Sequence, residues 1–256
     1  MRVGTWNVNG MRAALRKGFA EHLEAVAPDV LLLQEVRALP EQLPVAWRAP
    51  EGWHVTWHPA EKKGYSGVAI WTREPHHVVA HGLGGPDEEG RVLTVEVGDL
   101  TVVSVYLPSG SSGEHRQAIK DAWMPTFQQW ARRWLDSPKP VIMGGDFNIA
   151  HTENDIHNPR GNKKSSGFLP HEREWFGELL AEGWHDVQRE QAGEVKGPYS
   201  WWSNRGRARE LDRGWRIDYL LANDAAHKAW SGEATTRRAS GLTVSDHAIV
   251  HADFEL

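Results

Sequence analysis

The sequence predicts an α/β (α+β) fold in which two mixed β-sheets pack as a sandwich and helices cover both outer faces, four layers in all. Three observations lead there. Short runs rich in β-branched and aromatic residues recur along the 256 residues, at 3–8, 29–34, 53–57, 68–72, 92–97, 101–106, 141–143, 199–202, 217–222 and 249–254. Several consecutive runs have no helical segment between them, which excludes a simple doubly wound sheet. Longer stretches nevertheless carry helical character, too much of it for a bare sandwich.

The first helix is expected between residues 12 and 26. A second occupies 114–135, where Ile119, Trp123, Phe127, Trp130 and Trp134 recur at the spacing of one helical face. Pro125 should kink it, because a proline nitrogen cannot donate to the carbonyl one turn back. A third spans 170–181, with Trp175, Phe176, Leu179 and Leu180 as its apolar face, Pro170 in its first turn and Gly183 as its stop. No linker-like stretch or internal repeat interrupts the pattern, so residues 1–256 are expected to form one domain.

Composition narrows the function classes. With 40% hydrophobic and 25% charged residues the chain is neither disordered nor fibrous. It has no cysteine, which removes disulfides, thiolate zinc sites, iron–sulfur clusters and cysteine nucleophiles together. Any metal must use oxygen or imidazole donors. The opening residues lack a signal-peptide apolar core and no segment is long and apolar enough to span a membrane, so the expected location is the cytoplasm. A formal charge of −5 argues against a uniformly basic nucleic-acid coat but leaves room for a local basic groove.

The functional signal lies where apolar runs end. The first run ends in Asn7, the second in Gln34 and Glu35, the sixth in Tyr106, and the seventh in Gly144, Gly145, Asp146, Phe147 and Asn148. Asp218 begins its run, while Asp246 and His247 just precede theirs, the positions that share the same rim if those strands run antiparallel. Singly, each has an ordinary reading: Asn7 as a turn residue, Gly144 to Asp146 as an Asx turn, Asp246 as a loop cap. Their joint occurrence makes a site.

These blocks resemble the exonuclease III type apurinic/apyrimidinic endonucleases of the endonuclease/exonuclease/phosphatase superfamily. The resemblance is carried by Trp6 Asn7 Val8 Asn9 Gly10, Leu33 Gln34 Glu35, Tyr106 Leu107 Pro108, Gly145 Asp146 Phe147 Asn148, Trp215 Arg216 Ile217 Asp218 Tyr219 and Ser245 Asp246 His247, in family order across the chain. Asn158 Pro159 Arg160 Gly161 Asn162 Lys163 Lys164, followed by Gly167 Phe168, resembles the exonuclease III branch in particular. Family likeness implies a Mg²⁺-dependent DNA repair phosphodiesterase, with Mn²⁺ as a substitute ion. It would act as a monomer on double-stranded DNA, cutting 5′ to abasic sites to leave a 3′-hydroxyl and a 5′-deoxyribose phosphate, and trimming blocked 3′ ends as a 3′–5′ exonuclease.

Phosphodiester hydrolysis needs charge neutralisation, an activated in-line water and help for the departing alkoxide. Glu35 is a hard oxygen donor suited to Mg²⁺, and the resemblance adds Asn7 and Asp246 as ligands. His247 is the side chain that titrates nearest neutrality, and the resemblance pairs it with Asp218. It also gives Asp146 the attacking water, Asn148 a phosphate oxygen, and Tyr106 the phosphate or the leaving oxygen. Whether Asp146 or His247 is the formal base stays open in the sequence. Asn9, Ser109 and Ser165 depart from the family pattern, which weakens a second metal carboxylate and one phosphate contact.

Substrate class is argued from loops. Asn162, Lys163 and Lys164 with Arg160 make one polar, basic segment, and Arg205, Arg207, Arg209, Arg213 and Arg216 make another, bracketed by Trp201, Trp202 and Trp215. Charge beside flat apolar faces suits distorted DNA, and in the resembled family the residues matching Trp201 and Trp215 line the abasic-sugar pocket. Two alternatives stand beside this one: a general Mg²⁺-dependent exonuclease or 3′-phosphatase with little abasic preference, and a catalytically inactive DNA-binding module. His54, His58, His76, His77 and His81 read as surface histidines, lacking carboxylate partners at zinc-site spacing.

Overall fold

The computed structural model describes residues 1–237 and 244–256. Its first sheet consists of Arg2–Asn7 (β1), Val30–Gln34 (β2), His54–His58 (β3), Val68–Thr72 (β4), Trp230–Arg237 (β11) and Ile249–Phe254 (β12), in spatial order β11-β12-β1-β2-β4-β3. The second consists of His77–His81 (β5), Val92–Val97 (β6), Leu100–Tyr106 (β7), Val141–Asp146 (β8), His185–Asp186 (β9) and Asp218–Ala222 (β10), in spatial order β5-β6-β7-β8-β10-β9. Helices Met11–Arg16 (α1), Phe19–Val26 (α2), Val45–Arg48 (α3), Glu114–Ala131 (α4), Pro170–Ala181 (α5), Val187–Ala192 (α6) and Asp224–Lys228 (α7) complete the chain.

Alternation within the strands builds the layers. In β2, Val30 and Leu32 pack between the sheets, while Leu31 and Leu33 pack outward with Phe19 and Leu23 of α2. Both faces are covered, so the strand reads as an unbroken apolar run. In the second sheet Val102 and Ile142 point inward, and Val103, Val105 and Met143 pack outward against Phe127 and Trp130 of α4 and Trp175 and Phe176 of α5. The expected order of helix, sheet, sheet, helix is the one observed. Truncating one such buried leucine costs roughly 2–5 kcal/mol.

Several sequence expectations are corrected. The helix expected over 12–26 is two helices, because Gly18 adopts φ 102° between α1 and α2. The 114–135 helix ends at Ala131 in a tighter turn over Arg132–Trp134, and α4 runs on through Pro125. Residues 199–202 form no strand of their own; Trp201 bridges Trp215 on one side and His247 on the other. Gly144 and Gly145 make no turn, since β8 continues to Asp146. Their role is close approach: a Cβ on Gly144 would meet Leu32 Cδ1 of the opposite sheet at 2.6 Å, and one on Gly145 would overlap the Val105 carbonyl.

Strand direction then positions the site. β1 runs parallel to β2 and β7 parallel to β8, whereas β12 and β10 run antiparallel to β1 and β8. The ends of β1, β2, β7 and β8 therefore meet the starts of β10 and β12 on one rim. Just beneath, a buried polar chain ties the sheets together: Thr5 Oγ1 donates to Gln34 Oε1 at 3.2 Å, and Gln34 Nε2 donates to Ser104 Oγ at 3.0 Å. Among the described residues no helix is long and apolar enough to cross a membrane.

Candidate active site

Three loops leave the rim strained. Asn9, Glu35 and Asn148, each just past a strand end, have φ of 47°, 52° and 50°. Asparagine tolerates this left-handed conformation, but glutamate adopts it at a cost of about 1 kcal/mol. Glu35 is held there by its neighbours, because its carbonyl accepts from Gly10 N at 2.8 Å and the amide of Val36 donates to Gly67 O at 3.1 Å. The strain fixes a carboxylate at the mouth of the sheet.

The floor of the cleft is a hydrogen-bonded set of buried groups. Asp218 faces Asp146 across the β10–β8 register. His247 Nδ1 lies 2.9 Å from Asp218 Oδ2, and its Nε2 lies 3.8 Å from Asp146 Oδ2. Asp146 Oδ2 accepts from Asn7 Nδ2 at 2.9 Å, and its Oδ1 accepts from the Asn148 amide at 2.9 Å. Ser200 Oγ donates to Asp218 Oδ2 at 2.6 Å while accepting from the amides of Ile217 and Asp218. The ring nitrogen not facing Asp218 is thus directed to the cleft.

Burial and charge shift these groups in opposite ways. Burial, reinforced by the neighbouring Asp218 carboxylate, pushes the Asp146 carboxyl up to about 7 against the pull of His247. For His247 burial opposes charge, but the contacts to Asp218, with Asp146 and Asp246 nearby, push its pKa up to about 10. Tyr106 is raised well above an ordinary phenol by burial and by the Glu35 and Asp146 carboxylates, and its hydroxyl donates to Glu35 Oε1.

The remaining expected residues fall into two groups. A cleft of about 650 Å³ is lined by Asn7, Glu35, Tyr106, Asp146, Asn148, Asn162, Trp201, Trp215, Asp246 and His247. Trp201 and Trp215 are half-buried and meet edge to face, ring centroids 5.9 Å apart, and Trp201 Nε1 donates to Asp246 Oδ2 at 3.0 Å. Lys163 and Lys164 are exposed beside Asn162 without lining the cleft. Arg216 is a correction: it is fully buried, with Nε 2.6 Å from Asp155 Oδ1 and Nη1 2.8 Å from Asp186 Oδ2, so it cannot reach a bound phosphate. The rest of the arginine loop is unlike Arg216: Arg207 pairs with Glu210 and Arg209 donates to the Ser245 carbonyl, while Arg205, Arg207 and Arg213 are exposed. Trp202 belongs to a small core with Tyr199, Ala208 and Ala248.

A match to the endonuclease/exonuclease/phosphatase family spans residues 4–247. The chain is 39% identical over 228 residues to an exodeoxyribonuclease of Bacillus subtilis, covering 88% of this chain and 89% of the other. The chain belongs to the endonuclease/exonuclease/phosphatase family. It is also 38% identical to the DNA repair nuclease APEX1 of Danio rerio, over 88% of this chain and 74% of that one. An AP endonuclease structure from Archaeoglobus fulgidus superposes with a TM-score of 0.90 over the whole of both chains at 26% identity. Family and hydrolytic nuclease class agree with the resemblance read from the sequence blocks.

Within this family member, supporting residues appear that sequence reasoning missed. Arg37 Nη2 lies 2.9 Å from Glu35 Oε2. Arg91 donates to the Tyr106 carbonyl at 2.9 Å and covers its ring at 4.8 Å. Lys120 and Glu172, both fully buried, pair at 2.6 Å beneath the cleft; Lys120 Nζ donates to the Asn148 carbonyl and Glu172 accepts from the Gly167 amide. Lys120 reaches Asn148 across 28 residues of sequence, which no local motif marks, and only the oddity of a lysine on the apolar face of α4 hints at it; Arg91 stands 15 residues from Tyr106, and Arg37 follows Glu35 closely but belongs to none of the sequence motifs. His58 is likewise no plain surface histidine, being 2.9 Å from Asp87 Oδ2.

The donor set fits a hard divalent cation. Glu35 Oε1 accepts from Tyr106 and Oε2 faces Arg37, while Asp246 Oδ2 accepts from Trp201 and Oδ1 from Asn9 with Ser245 Oγ at 3.4 Å, which leaves lone pairs on both Glu35 oxygens and on Asp246 Oδ2. Among the described residues Asn7 Oδ1 accepts only the Asn9 amide, at 2.9 Å. Asp146, Asp218 and His247 also bring ligand atoms within 4.8 Å of one another, but their facing atoms are already spent on each other and on Ser200, which suits a proton relay.

Proposed function

We propose that the chain is a Mg²⁺-dependent DNA repair nuclease that cleaves double-stranded DNA 5′ to abasic sites, with 3′–5′ exonuclease and 3′-end-trimming activity in the same cleft. The observation that carries this reading is the juxtaposition, in one cleft of about 650 Å³, of the Asp146–His247–Asp218 floor with the Trp201–Trp215 wall. The names of the relatives, exodeoxyribonuclease and DNA repair nuclease, support it. The cleft is complete within one chain, which suits a monomer made of a single domain.

Glu35, with Asn7 and Asp246, would hold Mg²⁺, which when bound supplies charge neutralisation at the scissile phosphate and at the departing 3′ oxygen. Asp218 keeps His247 protonated and fixes its Nε2–H toward the cleft, where it donates to a phosphate oxygen. With His247 charged, Asp146 is the group left to accept a proton near neutrality, at Oδ2, so Asp146 is assigned the water. Asn148 spends one Nδ2 hydrogen on the Leu107 carbonyl at 2.8 Å and keeps the other for phosphate. Burial keeps Tyr106 a neutral donor. A base-free sugar rotates out of the duplex more easily than a normal nucleotide, and the tryptophan wall offers it a flat apolar face.

The test uses Mg²⁺ and two duplexes, one intact and one with a single abasic analogue, with products sized and their ends identified. Incision immediately 5′ of the lesion, leaving a 3′-hydroxyl, is expected to outpace shortening of the intact strand. Equal shortening of both from their 3′ ends would replace this reading with a general exonuclease, and binding without cleavage would make the chain a DNA-binding module. Glu35→Gln should lower activity through metal affinity, and excess Mg²⁺ should partly restore it.

A further inference from the structure

At the end of β10 remote from Asp218, where Ala222 pairs with His185, two imidazoles and a carboxylate converge from three elements. His185 belongs to β9, Glu190 to α6 and His227 to α7. The two rings lie face to face, centroids 3.8 Å apart and 10° from parallel. The Glu190 carboxylate spans them, with Oε1 3.3 Å from His185 Nδ1 and Oε2 2.7 Å from His227 Nε2. One ligand atom from each residue lies within 4.8 Å of the other two. His185 Nε2, the nitrogen turned away, is 2.8 Å from Asp224 Oδ1.

We propose that His185, His227 and Glu190 form a binding site for a divalent transition-metal ion, Zn²⁺ foremost, distinct in place and chemistry from the cleft. Two imidazole nitrogens with one carboxylate oxygen are a three-ligand zinc set that leaves a fourth position to water, and Mg²⁺ does not favour imidazole. At zinc–nitrogen bonds of about 2.0–2.1 Å a tetrahedral ion separates its ligand atoms by roughly 3.3 Å, close to the 3.3 and 2.7 Å from the carboxylate oxygens to the two ring nitrogens, and the stacked rings, whose lone pairs lie in nearly parallel planes, turn about their side-chain bonds to converge on one ion. Asp224 supplies the outer contact such sites use: accepting from Nε2–H, it selects the tautomer whose Nδ1 lone pair faces Glu190 and His227. A single ion satisfies all three donors and clips α6 to α7.

The full chain, stripped of metal, is titrated with Zn²⁺ by calorimetry and with Co²⁺ by visible absorption, and its melting temperature is followed in parallel. One ion per chain is expected, together with a rise in melting temperature and no competition from Mg²⁺. His185→Ala and His227→Ala should each abolish binding and the rise. Asp224→Asn, which removes no ligand, should weaken affinity at least tenfold. His247→Asn and His58→Ala should leave the tight site intact, since the other clustered histidines lie elsewhere. Absence of saturable binding, or binding that survives His185→Ala and His227→Ala, overturns the proposal.

Discussion

The floor of the cleft and its wall are built differently. On the floor, Asn7, Asp146, Asp218 and His247 are each at most 6% exposed, and every one is fixed by strand register or by a hydrogen bond from a neighbouring strand. The wall is carried on connecting segments: Trp201 and Trp215 meet through isolated bridges, and the Asn162–Lys164 segment projects from a loop. On the proposed function, the difference teaches that the chemistry would sit on the sheets, and the choice of substrate on segments that can change without moving them. Mutations in the two regions should therefore fail in different ways.

The sharpest break is at the floor. His247→Asn and Asp146→Asn should lower turnover by several orders of magnitude while DNA binding persists, because these groups act in the transition state rather than in docking. Single-turnover kinetics beside a binding titration separates the two, and near-normal turnover in either variant would remove that residue from the mechanism.

Next comes the buried support behind the wall. Arg216 follows Trp215 in sequence but points the other way, and Asp155 also pairs with Arg189 at 2.6 Å. Removing one partner of a buried ion pair costs about 3–5 kcal/mol, so Arg216→Met should lower the melting temperature sharply. Burial opposes ionisation of Asp155, but Arg216 and Arg189 outweigh it and hold its carboxyl well below the usual range. The stability it contributes is present in full above about pH 4 and is lost as pH falls through the depressed folded value. Thermal unfolding between neutral and acid pH should show that slope in the wild type and a weaker one in Arg216→Met.

A smaller effect is expected at the wall itself. Trp201→Ala or Trp215→Ala should reduce cleavage at abasic sites and narrow the preference over intact DNA, with little loss of melting temperature for half-buried rings. A stability loss of roughly 3–5 kcal/mol with an unchanged cleavage ratio would mark them as core residues instead. The mildest change is in the exposed loop. Lys163→Ala and Lys164→Ala should weaken abasic and intact duplex alike and reduce the salt slope by about one each; an unchanged slope would make the loop a bystander.

How much of this was readable beforehand follows the same division. Central strands such as β2 and β7 are buried on both faces and announce themselves as apolar runs, and their polar last residues marked the rim. Three of the four edge strands did not, while β3 matches the run at 53–57: β5 reads His-Val-Val-Ala-His and is mostly exposed, β11 is polar and bulged between Trp230 and Ala234, and β9 has two residues. Their signal lies in backbone pairing with an adjacent strand, which composition does not record. Arg216 misled because a basic residue beside Trp215 looks like a phosphate contact, while its partners Asp155 and Asp186 lie 61 and 30 residues away. The histidine pair of the proposed zinc site has no motif spacing for the same reason.

The seam between β1 and β12 carries a consequence for how the enzyme comes into being. Ser245 Oγ donates to the Asn7 carbonyl across 238 residues of sequence, and Asn9 reaches Asp246 across 237. A ribosome makes these partners 238 and 237 residues apart, so a growing chain holds Glu35 and Asp146 long before His247 has emerged to meet Asp218. Contacts this distant in sequence also close slowly. On the proposed mechanism the nuclease stays unarmed until residue 247 has been made, and any product released short of it lacks the imidazole that faces Asp218.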